Sequence, residues 1–276
     1  MRKYEIGIVD TRNILKAIKE AYDIDFKNHA LTFFKRRLEY IVERYKLKDA
    51  DALIAKISGD PEFFELFLKE VCIETTELFR DPSLWRYLME RFLQDNIKGQ
   101  AGFTIWFPEV SSGEELYSMA ILLNELKLLD RVQFVAGSIS RLRLEDLKAG
   151  RFDLSKMEVN QANFKRIFSD AELEDYYRKE GESGFIDPAL LKHLKTVPQN
   201  TYYDQQPRNV KLIMWRNQML YFNQILQERL LKSFYQRLVP GGHLIVGMNE
   251  KIDYWNAGKD YILVGDNENI YKKRYS

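Results

Sequence analysis

The apolar positions of the chain change their spacing near residue 97. Over residues 11–96 apolar side chains recur every three or four positions, as Ile14 and Ile18 do, and this is the period of an amphipathic helix. Beyond that point short apolar runs alternate with helical stretches, a pattern typical of βαβ units around a mostly parallel sheet. We therefore predict a helical domain over residues 1–97 and an α/β domain over residues 98–276.

Two aspartate-proline pairs predict helix starts within the first region. Asp60 precedes Pro61, and Asp81 precedes Pro82. An aspartate can cap the first turn of a helix, where a proline sacrifices no hydrogen bond. We expect one helix to begin at each pair.

Six apolar runs of the second region have the length of strands. They are residues 103–110, 132–139, 210–215, 243–248, 261–264 and 269–273, the last two as a hairpin. The amphipathic stretch 224–238 predicts a helix that stops at the Pro-Gly-Gly sequence of residues 240–242. Residues from about 170 to 197 are charged and aromatic with weak periodicity, so we expect a small inserted subdomain there.

Composition excludes several classes of protein. Lysine and arginine total 42 against 41 acidic residues, a net charge of +1, which gives no general attraction to nucleic acid or anionic lipid. No segment contains the roughly 18–20 apolar residues that span a bilayer, and the N-terminus lacks a signal-peptide run. Cys72 is the single cysteine, which excludes disulfides within the chain and thiolate metal clusters. We expect a cytoplasmic protein with no metal, no nucleic acid and no membrane insertion.

Four segments carry motifs in a fixed order. Three read ETTELFRDP over 74–82, IWFPEVSSGEELYS over 105–118 and LIMWRNQMLYF over 212–222, and the fourth, downstream, has QER at 227–229 and PGG at 240–242. In this order and at these separations they resemble the chemotaxis receptor glutamate methyltransferases, the CheR family, and the resemblance spans most of the chain. It implies an N-terminal all-helical domain followed by a Rossmann-like domain that binds S-adenosylmethionine, with a small inserted subdomain.

The resemblance also implies an activity and a partner. Members of the family transfer a methyl group from S-adenosylmethionine to glutamate side chains on the cytoplasmic helices of chemoreceptors, and they release S-adenosylhomocysteine. A glutamate side chain, with an ordinary pKa of about 4.3, is already ionised at neutral pH, so the reaction needs positioning more than a strong base. We expect a chemoreceptor or a related signalling protein as the partner.

The same motifs nominate site residues. Arg80 and Tyr221 match the family's active-site arginine and tyrosine, and a guanidinium can hold a carboxylate by paired hydrogen bonds. The positions that match cofactor contacts are Thr76, Arg80, Glu114, Ser138, Asn200, Arg216 and Asn217. Other interpretations remain open: an interdomain salt bridge for Arg80, core packing for Tyr221, and a favourable helix-dipole interaction for Glu114.

Four positions depart from the family pattern. Glu109 is the middle residue of a trio, residues 108–110, in which the family has small side chains. Its carboxylate can block the cofactor pocket or repel the methionyl carboxylate of the cofactor. Ser138 occupies the position at which the family has an aspartate that accepts hydrogen bonds from the ribose hydroxyls of the cofactor. Hydrogen bonds to a charged group contribute about 1.5–3 kcal/mol each, so we expect cofactor affinity to fall roughly 10- to 100-fold. Lys211 and Trp215 replace an acidic residue and a cysteine.

Two functions are compatible with this sequence. The first is an S-adenosylmethionine-dependent protein-glutamate O-methyltransferase that acts on chemoreceptor cytoplasmic helices. The second is a catalytically degenerate CheR-like binding or scaffold protein that has lost cofactor binding. Basic residues at 35–37, with Arg44 and Lys46, are candidates for contact with glutamate-rich receptor helices, or they form an ordinary solvated face.

Overall fold

The computed structural model describes residues 5–71, 77–98, 102–199 and 207–275. The first of these ranges is helical, as the apolar spacing predicts. Its helices are α1 (Ile8–Tyr22), α2 (Leu31–Arg44), α3 (Ala50–Gly59) and α4 (Pro61–Val71). Their apolar faces share one core, which includes the fully buried side chains of Ile14, Ile41 and Phe67.

Both aspartate-proline pairs precede a helix, but only one aspartate caps it. Asp60 accepts a hydrogen bond from the Phe63 amide at 2.9 Å, so the predicted cap of α4 is confirmed. Helix α5 (Pro82–Tyr87) begins after Asp81, whose backbone has a left-handed φ of 58° and whose carboxylate makes no cap hydrogen bond. The predicted cap is wrong at Asp81 because this carboxylate pairs with Arg216 instead.

Helix α5 continues through a π-helical turn (Leu88–Phe92) into α6 (Leu93–Ile97). Buried side chains of α5, among them Leu84 and Trp85, belong to the core beneath the sheet and not to the core of α1–α4. The change in apolar spacing at residue 97 and the change of core therefore occur at different places in the chain.

The described residues after α6 form strands and four further helices. The strands are β1 (Phe103–Phe107), β2 (Val132–Ser138), β3 (Arg151–Asp153), β4 (Tyr177–Glu180), β5 (Ser183–Ile186), β6 (Leu194–Pro198), β7 (Val210–Trp215), β8 (Leu238–Val246), β9 (Tyr261–Gly265) and β10 (Ile270–Lys273). The helices are α7 (Glu114–Glu125), α8 (Arg141–Lys148), α9 (Met157–Lys165) and α10 (Gln224–Arg237). Each of the six predicted strands is confirmed, at β1, β2 and β7 to β10.

Seven of these strands form one sheet in the order β6-β2-β1-β7-β8-β10-β9. The strands from β6 to β8 in this order are parallel, and β10 runs antiparallel to both β8 and β9. From β1 the chain first adds strands on the β2 side and then returns to add β7 on the other side. Ligands of such sheets bind at this reversal, beyond the carboxyl ends of the strands. The loops after β1, β2, β6 and β7 are therefore where a site is expected.

A second sheet, in the order β3-β5-β4, is antiparallel. Two of its strands lie within residues 170–197, where the apolar pattern predicts no strand. Arg178, Lys179 and Glu180 of β4 are all exposed, so β4 lacks the alternation that identifies a half-buried strand. Strand β6 lies in the same range but belongs to the main sheet.

The Pro-Gly-Gly sequence at residues 240–242 lies inside a strand. Helix α10 ends at Arg237, and β8 begins at the next residue and runs through all three. The pairing of β7 with β8 changes register between Val210 and Leu212, and Gly241 has a φ of 72° opposite this change. A glycine with positive φ accommodates such an irregularity. The helix therefore ends before the Pro-Gly-Gly sequence, as predicted, and the three residues themselves belong to a strand.

Candidate cofactor and active site

A cleft lies where the loops after β1 and β7 meet the segment before α5. Its lining includes Arg80, Glu109, Glu115, Arg216, Asn217 and Tyr221. Four of these residues, Arg80, Arg216, Asn217 and Tyr221, are nominated by the sequence motifs, and the fold brings them together. The nominated residues Thr76 and Asn200 lie outside the described residues.

Arg80 is held between two residues in a left-handed backbone conformation. Phe79 and Asp81 have φ of 54° and 58°, a conformation that costs a non-glycine residue about 1–3 kcal/mol. The surroundings fix it, because the Phe79 amide donates to Ser118 Oγ at 2.8 Å and Trp85 Nε1 donates to the Arg80 carbonyl at 2.8 Å. The backbone of Arg80 is therefore set before any ligand binds.

The Arg80 side chain lines the cleft. Within the part of the chain that the structure describes, no salt bridge includes Arg80. Its charge acts on the half-buried Glu115, where it opposes the effect of burial on the pKa. The interdomain salt bridge considered for Arg80 is not present among these residues.

Arg216 makes the ion pairs of the cleft. Its side chain is 2% exposed, with Nη2 at 2.6 Å from Asp81 Oδ2 and Nη1 at 2.7 Å from Glu115 Oε1. Burial raises the pKa of Glu115, while the guanidinium groups of Arg216 and Arg80 lower it. The three charged groups tie the loop after β7 to the segment before α5 and to the first turn of α7. Arg216 thus supports the wall of the cleft, and its contact with a cofactor stays a prediction.

Glu250 fixes the loop that carries Asn217. It is 7% exposed, and its carboxylate accepts from the amides of Asn217 at 2.8 Å, Met219 at 2.7 Å and Gly247 at 2.7 Å. Burial raises the pKa of Glu250, and the three amides and Arg216 oppose that shift. Sequence reasoning missed Glu250 because it follows a different strand, 33 positions from Asn217, and no local motif marks it.

Tyr221 lies where the helical domain meets the α/β domain. The Ala30 amide donates to the Tyr221 carbonyl at 2.8 Å, and the ring centroids of Phe33 and Tyr221 are 4.1 Å apart. Beside them the Asn223 amide donates to the Asn28 carbonyl at 2.9 Å. Tyr221 is both a lining residue of the cleft and a packing residue of the interface, so each interpretation made from the sequence describes part of its environment.

Glu109 and Ser138 are in direct contact at the ends of β1 and β2. The Ser138 hydroxyl donates to Glu109 Oε1 at 2.6 Å, and the Ser140 amide donates to Ser138 Oγ at 3.2 Å. Ser138 is fully buried and Glu109 is 4% exposed. Gln218 Nε2 donates to the Glu109 carbonyl at 2.8 Å. Two of the departures from the family pattern thus form one unit.

The side chain of Gln199 covers the same strand ends. Its Nε2 donates to the Pro108 carbonyl at 2.6 Å, and its backbone amide donates to the Ser138 carbonyl at 2.9 Å. Any side chain at Gly137 would collide with Gln199 and with the Pro108 carbonyl, so this close contact requires a glycine. Sequence reasoning missed Gln199 because it follows β6, a strand that the apolar pattern did not predict.

Glu114 and Trp215 lie outside the lining of this cleft. The Ser112 hydroxyl donates to the Glu114 carboxylate, and Glu114 lines a separate, charged cleft between α7 and the helical domain. The next residue, Glu115, faces the first cleft in its stead. Trp215 is fully buried against Phe234, with ring centroids 5.0 Å apart, so tryptophan at this position changes the core and not the cleft.

Two protein-family models match the chain. The model described as the CheR methyltransferase all-alpha domain matches residues 10–72, and the model described as the CheR methyltransferase SAM binding domain matches residues 74–265. The chain belongs to the CheR methyltransferase family. This membership confirms the predicted fold class, an all-helical domain followed by a Rossmann-like S-adenosylmethionine-dependent methyltransferase domain.

Relatives of this CheR-family protein differ widely from it in sequence. Cher3 of Pseudomonas putida is 27% identical over 246 residues, which cover 89% of this chain and 90% of the relative. Chemotaxis protein methyltransferase 1 of Pseudomonas aeruginosa is 25% identical over 228 residues, which cover 79% of this chain and 81% of the relative. The crystal structure of a methyltransferase from Pyrococcus furiosus aligns with 14% identity over 87% of this chain and 98% of that chain, with a TM-score of 0.36.

The chemistry of the cleft fits S-adenosylmethionine. That molecule carries a carboxylate, an ammonium group, a sulfonium cation and a ribose diol. The carboxylates of Glu109 and Glu115 line the cleft and suit the cations and the diol. Within the described ranges no group of three or more His, Cys, Asp or Glu is arranged to hold a metal ion, and no helix is long and apolar enough to cross a membrane.

Proposed function

We propose that this CheR-family protein transfers a methyl group from S-adenosylmethionine to glutamate side chains of a chemoreceptor cytoplasmic helix. The observation that carries the proposal is the state of Arg80. Its guanidinium lines the cleft with no salt bridge in the described residues, although Asp81 precedes the adjoining helix and Glu115 lines the same cleft. Both carboxylates are bound to Arg216 instead. We infer that the Arg80 guanidinium binds an anionic group from outside the chain.

The proposed acceptor is a carboxylate, and its reaction depends on alignment. When bound, S-adenosylmethionine supplies a methyl group attached to a positively charged sulfur. Arg80 has five N–H donors in a planar fork, so it can hold an acceptor carboxylate in one orientation. The preset backbone of residues 79–81 reduces the entropy lost in that alignment. No residue has to remove a proton, because a glutamate acceptor is ionised at neutral pH.

Tyr221 is the second residue that we assign to the acceptor. It lines the same cleft as Arg80, and a tyrosine hydroxyl can donate a hydrogen bond to a carboxylate. Its position depends on the helical domain through Phe33 and Ala30. The helices α1–α4 therefore influence the shape of the cleft, although none of the described lining residues belongs to them.

We propose a chemoreceptor as the partner, but the basic surface that this chain offers to it is smaller than the sequence predicts. Arg37 is 8% exposed and donates to the Glu70 carbonyl, and Arg44 pairs with the Glu70 carboxylate at 3.3 Å. Arg36 and Lys46 are exposed. A glutamate-rich receptor helix that docks on this side would meet Arg36 and Lys46, and electrostatic complementarity there would mainly raise its association rate.

A non-catalytic scaffold is the second candidate, and one observation favours it. Gln199 covers Gly137 and bonds to the Pro108 carbonyl, so strand ends that would face the cofactor are covered by the chain itself. In the scaffold account this cover is permanent. In the methyltransferase account the Gln199 side chain moves aside and gives up its hydrogen bond to the Pro108 carbonyl, a net cost of about 0.5–1.5 kcal/mol for that bond.

Transfer of a labelled methyl group from S-adenosylmethionine to a purified chemoreceptor cytoplasmic fragment tests the proposal. A fragment whose acceptor glutamates are replaced by alanine is the matched control substrate. Label is expected on the glutamate fragment alone. No label on either fragment, together with no binding of S-adenosylhomocysteine at millimolar concentration, would contradict methyl transfer. The non-catalytic scaffold would then be the remaining candidate function.

A further inference from the structure

We propose that Glu109 binds the ribose hydroxyls of S-adenosylmethionine, in place of an acidic residue at the end of β2. The inference rests on the proposed function, because it assigns a residue to the cofactor of that reaction. In nucleotide-binding sheets of this kind an acidic side chain near the end of the second strand accepts hydrogen bonds from the ribose. Strand β2 ends here in Ser138, which carries no charge.

Glu109 brings a carboxylate to that place from the neighbouring strand. Strands β1 and β2 are parallel, and Phe107 lies opposite Ala136, so the positions two residues further on, Glu109 and Ser138, are level with each other. Their side chains meet, with 2.6 Å between Glu109 Oε1 and Ser138 Oγ. The carboxylate therefore lies at the carboxyl end of β2 although it belongs to the loop after β1.

Two backbone hydrogen bonds fix this arrangement. The Val110 amide donates to the Gly137 carbonyl at 2.8 Å, which extends the pairing of the two strands to the position of Glu109. The Ser140 amide donates to Ser138 Oγ at 3.2 Å. That bond occupies a lone pair of the serine oxygen, so the hydroxyl hydrogen is directed at the carboxylate. Ser138 is thus a positioning residue for Glu109.

An ionised carboxylate can accept hydrogen bonds from several donors at once. Its two oxygens have about four lone-pair sites, so Glu109 can accept from Ser138 and from a ribose diol together. Both residues are withdrawn from solvent, and hydrogen bonds to a charged group are stronger in such surroundings. Glu109, in the loop after β1, thus supplies the charged hydrogen-bond acceptor that the end of β2 lacks.

Calorimetric titration with S-adenosylhomocysteine and with its 2′-deoxy analogue tests the assignment without any transfer reaction. Glu109→Gln is expected to weaken S-adenosylhomocysteine binding roughly 10- to 100-fold, the loss that corresponds to charged hydrogen bonds. It should also reduce the preference of the protein for S-adenosylhomocysteine over the 2′-deoxy analogue. Glu145→Gln, at an exposed position of α8, is the matched control and should bind both ligands like the wild type.

A second pair of variants separates loss of the acceptor from misfolding. Glu109→Ala combined with Ser138→Asp returns a carboxylate to the end of β2, and it should bind S-adenosylhomocysteine more tightly than Glu109→Ala alone. Wild-type or tighter binding by Glu109→Gln would overturn the assignment and leave the proposed function standing. No binding by the wild-type protein at millimolar ligand would overturn the proposed function, and the assignment with it.

Discussion

Arg216 and Asp81 form a salt bridge of 2.6 Å in the wall of the cleft, and the Arg216 side chain is almost completely buried. The pair joins segments that are 135 positions apart in the chain. It explains why Asp81 does not cap α5, since its carboxylate is already bound. The neighbouring Arg80 makes no salt bridge with Asp81, whose carboxylate pairs with Arg216. The ion pair thus links the start of α5 to the loop after β7.

Loss of the Arg216 charge should destabilise the protein. Arg216→Met leaves the carboxylates of Asp81 and Glu115 without their partner, and breaking a buried ion pair from one side costs about 3–5 kcal/mol. We expect a decrease of that size in the free energy of unfolding, measured by urea denaturation. Lys16→Met is the control, because Lys16 and Glu20 form an exposed pair that contributes at most about 1 kcal/mol. Equal effects of the two substitutions would contradict this role of Arg216.

Glu250 should control the order of the loop from Asn217 to Met219. In Glu250→Gln the amide nitrogen would face a backbone N–H group that now donates to a carboxylate oxygen, and an unsatisfied buried donor costs about 1–3 kcal/mol. We expect faster hydrogen exchange at the amides of Asn217 and Met219, with slower methyl transfer. Glu145→Gln, at an exposed position, should change neither quantity. Unchanged exchange at both amides in Glu250→Gln would show that the carboxylate does not hold the loop.

Two buried histidines predict a loss of stability in mild acid. Burial lowers the pKa of His29 and of His243 to about 4 from the ordinary value of 6.5. The unfolded chain therefore binds more protons than the folded chain between pH 6.5 and 4, and the free energy of unfolding falls as the pH decreases through this window. Each histidine contributes a slope of up to about 1.4 kcal/mol per pH unit.

The double variant His29→Phe, His243→Phe isolates this contribution. Urea denaturation at several pH values should give a shallower decrease in the free energy of unfolding for the variant than for the wild type, because neither phenylalanine titrates. The readout is the slope with pH, which a uniform change in packing leaves unaltered. The same slope in both proteins would mean that the acid sensitivity comes from other groups.

The local sequence pattern predicts most helices and strands because each of these elements depends on residues that are close together in the chain. The period of the apolar positions identifies α1 to α4 and the strands β1, β2 and β7, and the Asp60 cap depends on contacts three positions away. Strand β4 escaped prediction because its exposed, charged residues do not alternate. The motifs likewise nominate Arg80, Arg216 and Tyr221, and the fold brings these three residues to one cleft.

The missing parts of the site are long-range partners. Gln199 lies over Gly137 only because β6 pairs with β2, and Glu250 meets Asn217 only because β7 pairs with β8. The pairing of Arg216 with Asp81 is of the same kind, since the two residues are 135 positions apart in the chain. Only the packed structure shows this pairing.

The most direct test of methyl transfer at this cleft is the rate at which Arg80→Ala labels a chemoreceptor fragment, compared with wild type and with Arg86→Ala, an exposed arginine of α5. Loss of paired hydrogen bonds to a charged acceptor should reduce transfer by at least about 100-fold, with the free energy of unfolding changed by less than about 0.5 kcal/mol. Arg86→Ala should transfer like the wild type. A wild-type rate in Arg80→Ala would contradict the account, because the acceptor carboxylate would then be held by another group.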